Sequence, residues 1–184
     1  MLPLRPMTDV EIELARSEDA GRVPEIERRA AKLFPEALLP SGLAAETTTA
    51  EDVAEAIEAG ELLVARDVRA GVIGFALLEE HEGEAHLEEI DVDPDHGRRG
   101  VGRALVEAAI AWARARGASR ITLSTFRDLA WNAPFYATCG FEVVPASAYS
   151  DRDREQRGEE AASGLDVSQR VIMARELGGA PSRR

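Results

Sequence analysis

Residues 92–105, VDPDHGRRGVGRAL, constrain the fold of this 184-residue chain more than any other segment. They follow a strand-like run at residues 85–92 and lead into an amphipathic pattern, so a strand, a glycine-rich turn and a helix come in immediate succession. Such a turn directs several backbone N–H groups to one point, where the helix dipole adds partial positive charge. Gly100 and Gly102 have no Cβ atoms that would keep an anion away from this backbone. The segment therefore predicts a phosphate-binding site, at which three arginines add full charges, Arg98, Arg99 and Arg103.

Two familiar phosphate-binding motifs do not fit this segment. The P-loop ends in Lys-Ser or Lys-Thr, and no such pair follows these glycines. The dinucleotide-binding pattern G-x-G-x-x-G fails because Leu105 stands at the position of its third glycine. A glycine-rich surface turn that only caps a helix is the alternative, and a second motif further along the chain weighs against it.

That second motif is NAPFYATCGF at residues 132–141. Asn132 is expected at the N-cap of a short helix, and Pro134 falls in the first turn, where its missing N–H costs little. Gly140 is expected to end the helix, and Phe141 begins the strand-like run that follows. A tyrosine on such a helix is often a packing residue, so the role of Tyr136 depends on the motif around it.

Together the two segments resemble the motifs of the GNAT superfamily, the acyl-CoA-dependent N-acyltransferases. The first resembles the family's pyrophosphate loop V-x-P-x-x-[QR]-x-x-G-x-[GA], and four positions match: Val92, Pro94, Gly100 and Gly102. Gly97 stands where the family usually has Gln or Arg, and Arg98 or Arg99 is expected to compensate. The second segment resembles the family's F-Y-x-x-x-G-F motif.

The resemblance implies a single α/β domain of the α+β type over residues 10–177, with a mixed, mostly antiparallel sheet of about six or seven strands flanked by helices. The central parallel strands splay, and the pantetheine arm of the ligand enters the gap between them. Residues 1–9 are interpreted as a leader and residues 178–184 as a flexible tail. The polar segment at about residues 146–166 is interpreted as a solvated helix or loop rather than a substrate lid.

The resemblance also implies acetyl-CoA as the acyl donor, with Tyr136 as the acid that protonates the departing CoA thiolate. The residues expected to contact CoA are Ile90, Val92, Gly97, Arg98, Arg99, Gly100, Val101, Gly102, Arg103, Asn132 and Tyr136.

The strand before the glycine-rich turn predicts a β-bulge. Strict alternation would separate Leu87 from Ile90 and Val92, although all three have the character of core residues. If they share a face, the pleat must slip near Glu88 and Glu89, and the GNAT family is known for a bulge on this strand. A bulge leaves a backbone N–H unpaired and free to bind the thioester carbonyl and its developing oxyanion.

An amine acceptor must lose a proton before it attacks, because a lysine-like ammonium has a pKa near about 10.4. Similar family members give this role to the Glu of an L-E-x-x-x-V frame, here Glu88. Glu89 is the second candidate, and His86 is a rival because it titrates near neutrality. A covalent route through Cys139 is disfavoured, since the sequence matches no His to it. Three residues are suggested to reach the acceptor: Arg127, Asp128 and Trp131.

Composition excludes several function classes. The chain has 34 acidic against 22 basic residues and a formal charge of −12, which argues against general nucleic-acid binding and favours a cationic acceptor. A single cysteine permits no internal disulfide and fits a reducing cytoplasm. No apolar run approaches the length of a membrane span. The three histidines form no metal-binding pattern, so no metal is expected.

The remaining elements follow from periodicity and turn residues. Strands are predicted at residues 10–15, 61–66, 71–79, 121–126 and 168–177, and helices at residues 17–33, 50–59 and 101–116.

The sequence thus predicts an N-acetyltransferase that moves an acetyl group from acetyl-CoA to a primary amine of a small molecule or peptide by direct attack. The resemblance also suggests that the protein forms a homodimer. An idle acyl-CoA-binding sensor or interaction module is the alternative. A phosphate-binding protein unrelated to CoA is a third reading, which leaves the second motif unexplained.

Overall fold

The computed structural model describes residues 9–39 and 48–178. The strands are β1 (Val10–Leu14), β2 (Leu62–Asp67), β3 (Gly71–His81), β4 (Glu84–Val92), β5 (Arg120–Phe126), β6 (Glu142–Val143) and β7 (Arg170–Glu176). The helices are α1 (Val23–Ala31), α2 (Ala50–Ala59), α3 (Val101–Ala115), α4 (Ala133–Thr138) and α5 (Asp151–Ala162). The strands form one seven-stranded sheet in the order β1-β2-β3-β4-β5-β7-β6, which confirms the predicted fold class.

Helices cover both faces of this sheet because its strands alternate between two hydrophobic cores. Leu105 and Ala109 of α3 pack with Leu87 and other residues of one face. Ile26 of α1 and Val53 of α2 pack on the other face, against residues of β2 and β3. Burying one such Leu or Ile side chain contributes roughly 1.5–3 kcal/mol to the stability of the fold.

The pair β4 and β5 is the parallel pair of the sheet, and α3 connects the two strands. Their pairing is limited to Ala85 opposite Ile121 and His86 opposite Thr122. Beyond these residues the two strands separate, as predicted for the central parallel strands. The separation leaves a gap in the middle of an otherwise continuous sheet.

The helix predicted at residues 17–33 begins later than expected. Ser17–Asp19 forms a separate 3₁₀ turn, and α1 starts at Val23. The cause is Asp19, whose buried carboxylate accepts a hydrogen bond from the Arg16 backbone N–H and pairs with Arg66 of β2 at 2.8 Å. This pairing joins residues 47 positions apart and fixes the turn against the sheet.

The polar segment at residues 146–166 contains a helix, which is one of the two predicted forms. Its central part is the helix α5, but this helix is not simply solvated. Asp153 and Glu160 are each only 4% exposed. Asp153 pairs with Arg120 at 3.4 Å, and Glu160 pairs with Arg170 at 2.9 Å, so α5 is fixed to the sheet by ion pairs.

Strand β7 lies between β5 and β6, so the two-residue strand β6 forms the sheet edge. The predicted leader and tail fall outside the described residues except for Asp9 and Gly178. Among the helices of residues 9–39 and 48–178, none has the length and apolar character needed to cross a membrane.

Candidate active site

Strand β4 carries the predicted bulge. In its pairing with β3, Leu77 lies opposite Glu89 and the next residue lies opposite Leu87, so Glu88 has no counterpart. The extra residue shifts the alternation, and Leu87 and Ile90 both pack in the core beneath α3. The bulge inferred from these side chains is therefore confirmed.

A cavity of about 220 Å³ lies where β4 and β5 separate. Its wall consists of residues from α1, β4, β5 and α4, together with flanking loop residues and Arg170 of β7. Five of the predicted site residues line this wall: Glu88, Glu89, Ile90, Asn132 and Tyr136. Val92 and residues 97–103 lie outside the wall, at the end of β4 and in the turn that follows it.

Tyr136 reaches this cavity from α4, whose first turn contains Pro134 and whose end is followed by Gly140 at a φ of +83°. The Tyr136 side chain is buried, and its ring centroid lies 6.0 Å from that of Phe141. Burial, followed by the negative charge of Asp91, raises the pKa of the Tyr136 hydroxyl above its usual value. The hydroxyl therefore keeps its proton at neutral pH and is available as a proton donor.

Glu88 is flanked by two nitrogen-bearing side chains. Its Oε1 lies 3.6 Å from Nη2 of Arg152 and 3.8 Å from Nε2 of His86, and one third of its side chain is exposed. Burial and then the negative charge of Glu79 raise the pKa of Glu88 to about 7. A carboxyl group with this pKa can accept a proton near neutral pH and release it again.

Glu89 belongs to a group of three acidic side chains in the cavity wall, with Glu27 and Asp91. Burial and then the negative charge of Glu27 raise the pKa of Glu89 to about 7, and the pKa of Asp91 is raised by burial and by Glu89. Burial also raises the pKa of Glu27, whose Oε2 accepts a 2.8 Å hydrogen bond from the Thr48 backbone N–H. These carboxyls are crowded, so they take up protons more readily than exposed ones.

His86 is placed differently from its two rivals. Its ring is buried, its Nδ1 shares a 2.7 Å hydrogen bond with Thr122 Oγ1, and it does not line the cavity. Burial, with the charge of Arg152 second, lowers the pKa of His86 to about 4. The imidazole is therefore neutral near pH 7 and is a weak base.

The glycine-rich turn leaves the start of α3 open. Gly100 is the N-cap residue with a φ of +88°, a conformation that favours glycine, and no side chain caps the helix there. The first backbone N–H groups of α3 consequently have no side-chain acceptor among the described residues, which suits an anion. Gly97 differs, because its own N–H donates to the Pro94 carbonyl at 3.2 Å.

The three arginines of the turn are not equivalent. Arg103 donates to Thr138 Oγ1 at 2.7 Å and so connects α3 to α4. Arg99 donates to the Asp95 carbonyl at 3.2 Å, while Arg98 is exposed at a φ of +57°. Both Arg98 and Arg99 lie at the surface beside the open helix start.

Asn132 occupies the predicted N-cap position of α4, but its side chain does not cap the helix. Its Nδ2 instead donates to Thr125 Oγ1 on β5 at 2.6 Å. Its Oδ1 is buried in the cavity wall and has no hydrogen-bond partner among the described residues. This oxygen is therefore available to accept a hydrogen bond from a bound molecule.

Sequence reasoning missed several residues of the site. Glu27, Asp91 and Arg170 line the cavity, and Arg152 contacts Glu88 from α5. Arg152 stands in a run of alternating charges, DRDRE, which carries no sign of such a contact.

Other predicted participants lie elsewhere. Arg127, Asp128 and Trp131 do not line the cavity, although Trp131 packs edge-on at 6.3 Å against Phe34, which does. Cys139 is a buried free cysteine of the core and also lies outside the wall. Within the described ranges, no group of three His, Cys, Asp or Glu side chains is arranged to hold a metal ion.

Several known proteins are similar to this chain. A segment of the chain is 38% identical over 76 residues to the mycothiol acetyltransferase of Clavibacter michiganensis, a match that covers 41% of this chain and 24% of that relative. The PaiA N-acetyltransferase of Thermoplasma acidophilum, solved in complex with coenzyme A, matches with a TM-score of 0.65 and 19% identity over 91% of this chain and 98% of that chain. The yncA protein of Salmonella typhimurium, solved with its cofactor acetyl-CoA, matches with a TM-score of 0.67 and 19% identity over 96% and 99% of the two chains.

The two structural matches establish the fold alone, because a sequence identity of 19% is too low to carry over a function. The family model described as the acetyltransferase (GNAT) family matches residues 25–141, which is more than half of the chain. The resemblance found in the two sequence motifs is thus confirmed. The chain belongs to the acetyltransferase (GNAT) family.

Proposed function

We propose that this protein is an N-acetyltransferase that moves an acetyl group from acetyl-CoA to a primary amine of a small molecule or peptide. One observation carries the proposal: β4 and β5 separate after His86 and Thr122, and the cavity in the gap contains Tyr136, Glu88 and Glu89 together. Acyl transfer to an ammonium-bearing acceptor uses one proton acceptor and one proton donor, and the cavity wall offers two candidates for the acceptor and one for the donor.

The residues present fit acetyl-CoA. The uncapped start of α3, with Arg98 and Arg99 beside it, would hold the pyrophosphate. The buried Asn132 Oδ1 would accept from an amide N–H of the pantetheine arm, and the unpaired edges of β4 and β5 would flank that arm. When bound, acetyl-CoA supplies an activated acetyl group as a thioester.

The carboxyls would receive the acceptor's proton. An ammonium group entering the cavity meets Glu88 and Glu89, whose pKa values of about 7 leave a substantial ionised fraction at neutral pH. Glu88 is our first choice for the base because it lies at the bulge, without a counterpart on β3. Crowded carboxylates also favour a positively charged acceptor over a neutral or anionic one.

Tyr136 would supply a proton to the leaving sulfur. Its raised pKa keeps the hydroxyl protonated at neutral pH, so the proton is present when sulfur leaves. Attack by the amine is direct in this proposal, and the position of Cys139 outside the cavity wall supports that choice.

The proposal is tested by incubating the protein with acetyl-CoA and a panel of primary amines, among them diamines, amino sugars and lysine-containing peptides. Thiol release reports turnover, and mass spectrometry identifies the product. We expect an N-acetylated product that forms faster at pH 8 than at pH 6. Acetyl-CoA binding without transfer to any amine would instead support the idle binding module. The homodimer stays a prediction, which light scattering of the purified protein can test.

A further inference from the structure

Arg152 lies in the first turn of α5, and this turn is rigidly built. Ser150 Oγ accepts from the Asp153 backbone N–H at 3.1 Å, and the Asp153 carboxylate accepts from the Ser150 N–H at 2.9 Å. The same carboxylate pairs with Arg120 at 3.4 Å, and Arg120 pairs with Glu84 of β4 at 2.9 Å. The capping box and the ion pairs therefore fix the backbone of Arg152 relative to β4.

The guanidinium of Arg152 is shared between two carboxylates. Its Nη2 is hydrogen-bonded to Glu79 of β3 and lies 3.6 Å from Oε1 of Glu88. About a quarter of the Arg152 side chain is exposed, so most of it is buried in the protein. Glu88 is the bulged residue of β4, and a bulge changes the direction of the side chain that it carries.

We propose that Arg152 is a positioning residue of the active site, whose guanidinium, shared between Glu79 and Glu88, holds the Glu88 carboxylate in the cavity wall. The inference rests on the proposed function, in which Glu88 takes the proton of the acceptor amine. In this proposal α5 supports the active site through Arg152, whereas the sequence of this segment predicts only a solvated helix or loop.

The charges around Glu88 determine the direction of the expected effect. The groups that face it are Glu79 of β3, His86 and Glu89 of β4, and Arg152 and Glu159 of α5. Arg152 is the cation among them near pH 7, and its charge favours ionised Glu88, while Glu79 and Glu159 oppose ionisation. Removing Arg152 therefore raises the pKa of Glu88, and removing the charge of Glu79 lowers it.

The first test measures Glu88 in the protein without ligand. Carboxyl ¹³C NMR, with the Glu88 signal assigned by its loss in Glu88→Gln, gives the titration midpoint. We expect Arg152→Met to move the midpoint up by about one pH unit. Arg152→Lys keeps the positive charge, so its midpoint should lie close to that of the wild type. Glu79→Gln should move the midpoint down. Arg154→Met is the matched control, because Arg154 is an exposed residue of the same helix, and it should leave the midpoint unchanged. An unchanged midpoint in Arg152→Met, or an upward shift in Glu79→Gln, overturns the inference.

The second test separates this inference from the proposed function. The pH dependence of kcat/KM should rise through the Glu88 midpoint in the wild type and lose this limb in Glu88→Gln. We expect Arg152→Met to move the limb to higher pH by the same amount as the NMR midpoint. If Glu88→Gln removes the limb but Arg152→Met leaves it at the wild-type pH, the role of Arg152 is overturned and that of Glu88 as the base stands. A limb that survives in Glu88→Gln overturns the assignment of Glu88 as the base, and the positioning role with it.

Discussion

Gly102 in the first turn of α3 lies against Phe135 of α4. A Cβ atom added to Gly102 would stand 3.9 Å from Phe135 Cζ and 3.9 Å from Val92 Cγ2. The two sequence motifs therefore meet in space: the glycine-rich turn and the aromatic helix form adjoining parts of one site. The contact distances are ordinary, so a methyl group is sterically tolerated at this position.

This contact predicts opposite effects on stability and binding for Gly102→Ala. Stability should increase by up to about 1 kcal/mol, because alanine is a better helix former than glycine. Acetyl-CoA affinity should fall about tenfold, since the methyl group would cover backbone N–H groups at the helix start. Urea unfolding and calorimetry measure the two effects. Gly158→Ala on α5, where nothing lies within 4 Å of the added Cβ, should stabilise the protein without changing affinity. Equal affinities for both variants would contradict an anion site at this turn.

Replacing Tyr136 by Phe should lower kcat about 100-fold or more while leaving acetyl-CoA affinity nearly unchanged. The ring keeps its packing against Phe135 and Phe141, and only the buried hydroxyl is lost. Steady-state kinetics and a titration on the same preparation measure both quantities. A variant with full turnover would remove Tyr136 from the mechanism, and a joint loss of binding and turnover would point to a structural role.

The burial of Glu89 predicts that this residue's contribution to stability decreases as the pH rises from about 4.5 to 7. Folding raises the pKa of Glu89 from 4.5 to about 7, so in this window the folded protein holds a proton that the unfolded chain has released. By linkage, the free energy of unfolding falls across the window, by on the order of 2 kcal/mol for this residue.

Glu89→Gln tests this dependence, because glutamine cannot ionise. The variant should match the wild type at pH 4.5 and exceed it in stability at pH 8, as measured by urea unfolding. Glu55→Gln, a change of an exposed glutamate on α2, serves as the control and should follow the wild-type curve. A Glu89→Gln variant that gains no stability over the wild type between pH 4.5 and pH 8 would contradict the raised pKa of Glu89.

Local sequence signals predicted the central part of the fold. Residues 85–105 encode their strand, turn and helix through periodicity and two glycines, which are local features of the sequence. The bulge at Glu88 was predictable because Leu87 and Ile90 cannot share a face of a regular strand.

The features that the sequence did not reveal depend on contacts between distant residues. The late start of α1 follows from Asp19 pairing with Arg66, and the burial of α5 residues follows from the pairing of Asp153 with Arg120. The contact of Arg152 with Glu88 likewise requires the fold to bring α5 beside β4. Charge alternation alone gives no indication of which acidic residue an arginine meets.

The most direct test of the proposed function is a calorimetric titration of the purified protein with acetyl-CoA, with ATP and inorganic phosphate as controls. Micromolar binding of acetyl-CoA, with much weaker binding of both controls, is the result that the cavity and the open helix start predict. No binding of acetyl-CoA, or equal binding of ATP, would contradict the proposal and leave only a general anion site at the start of α3.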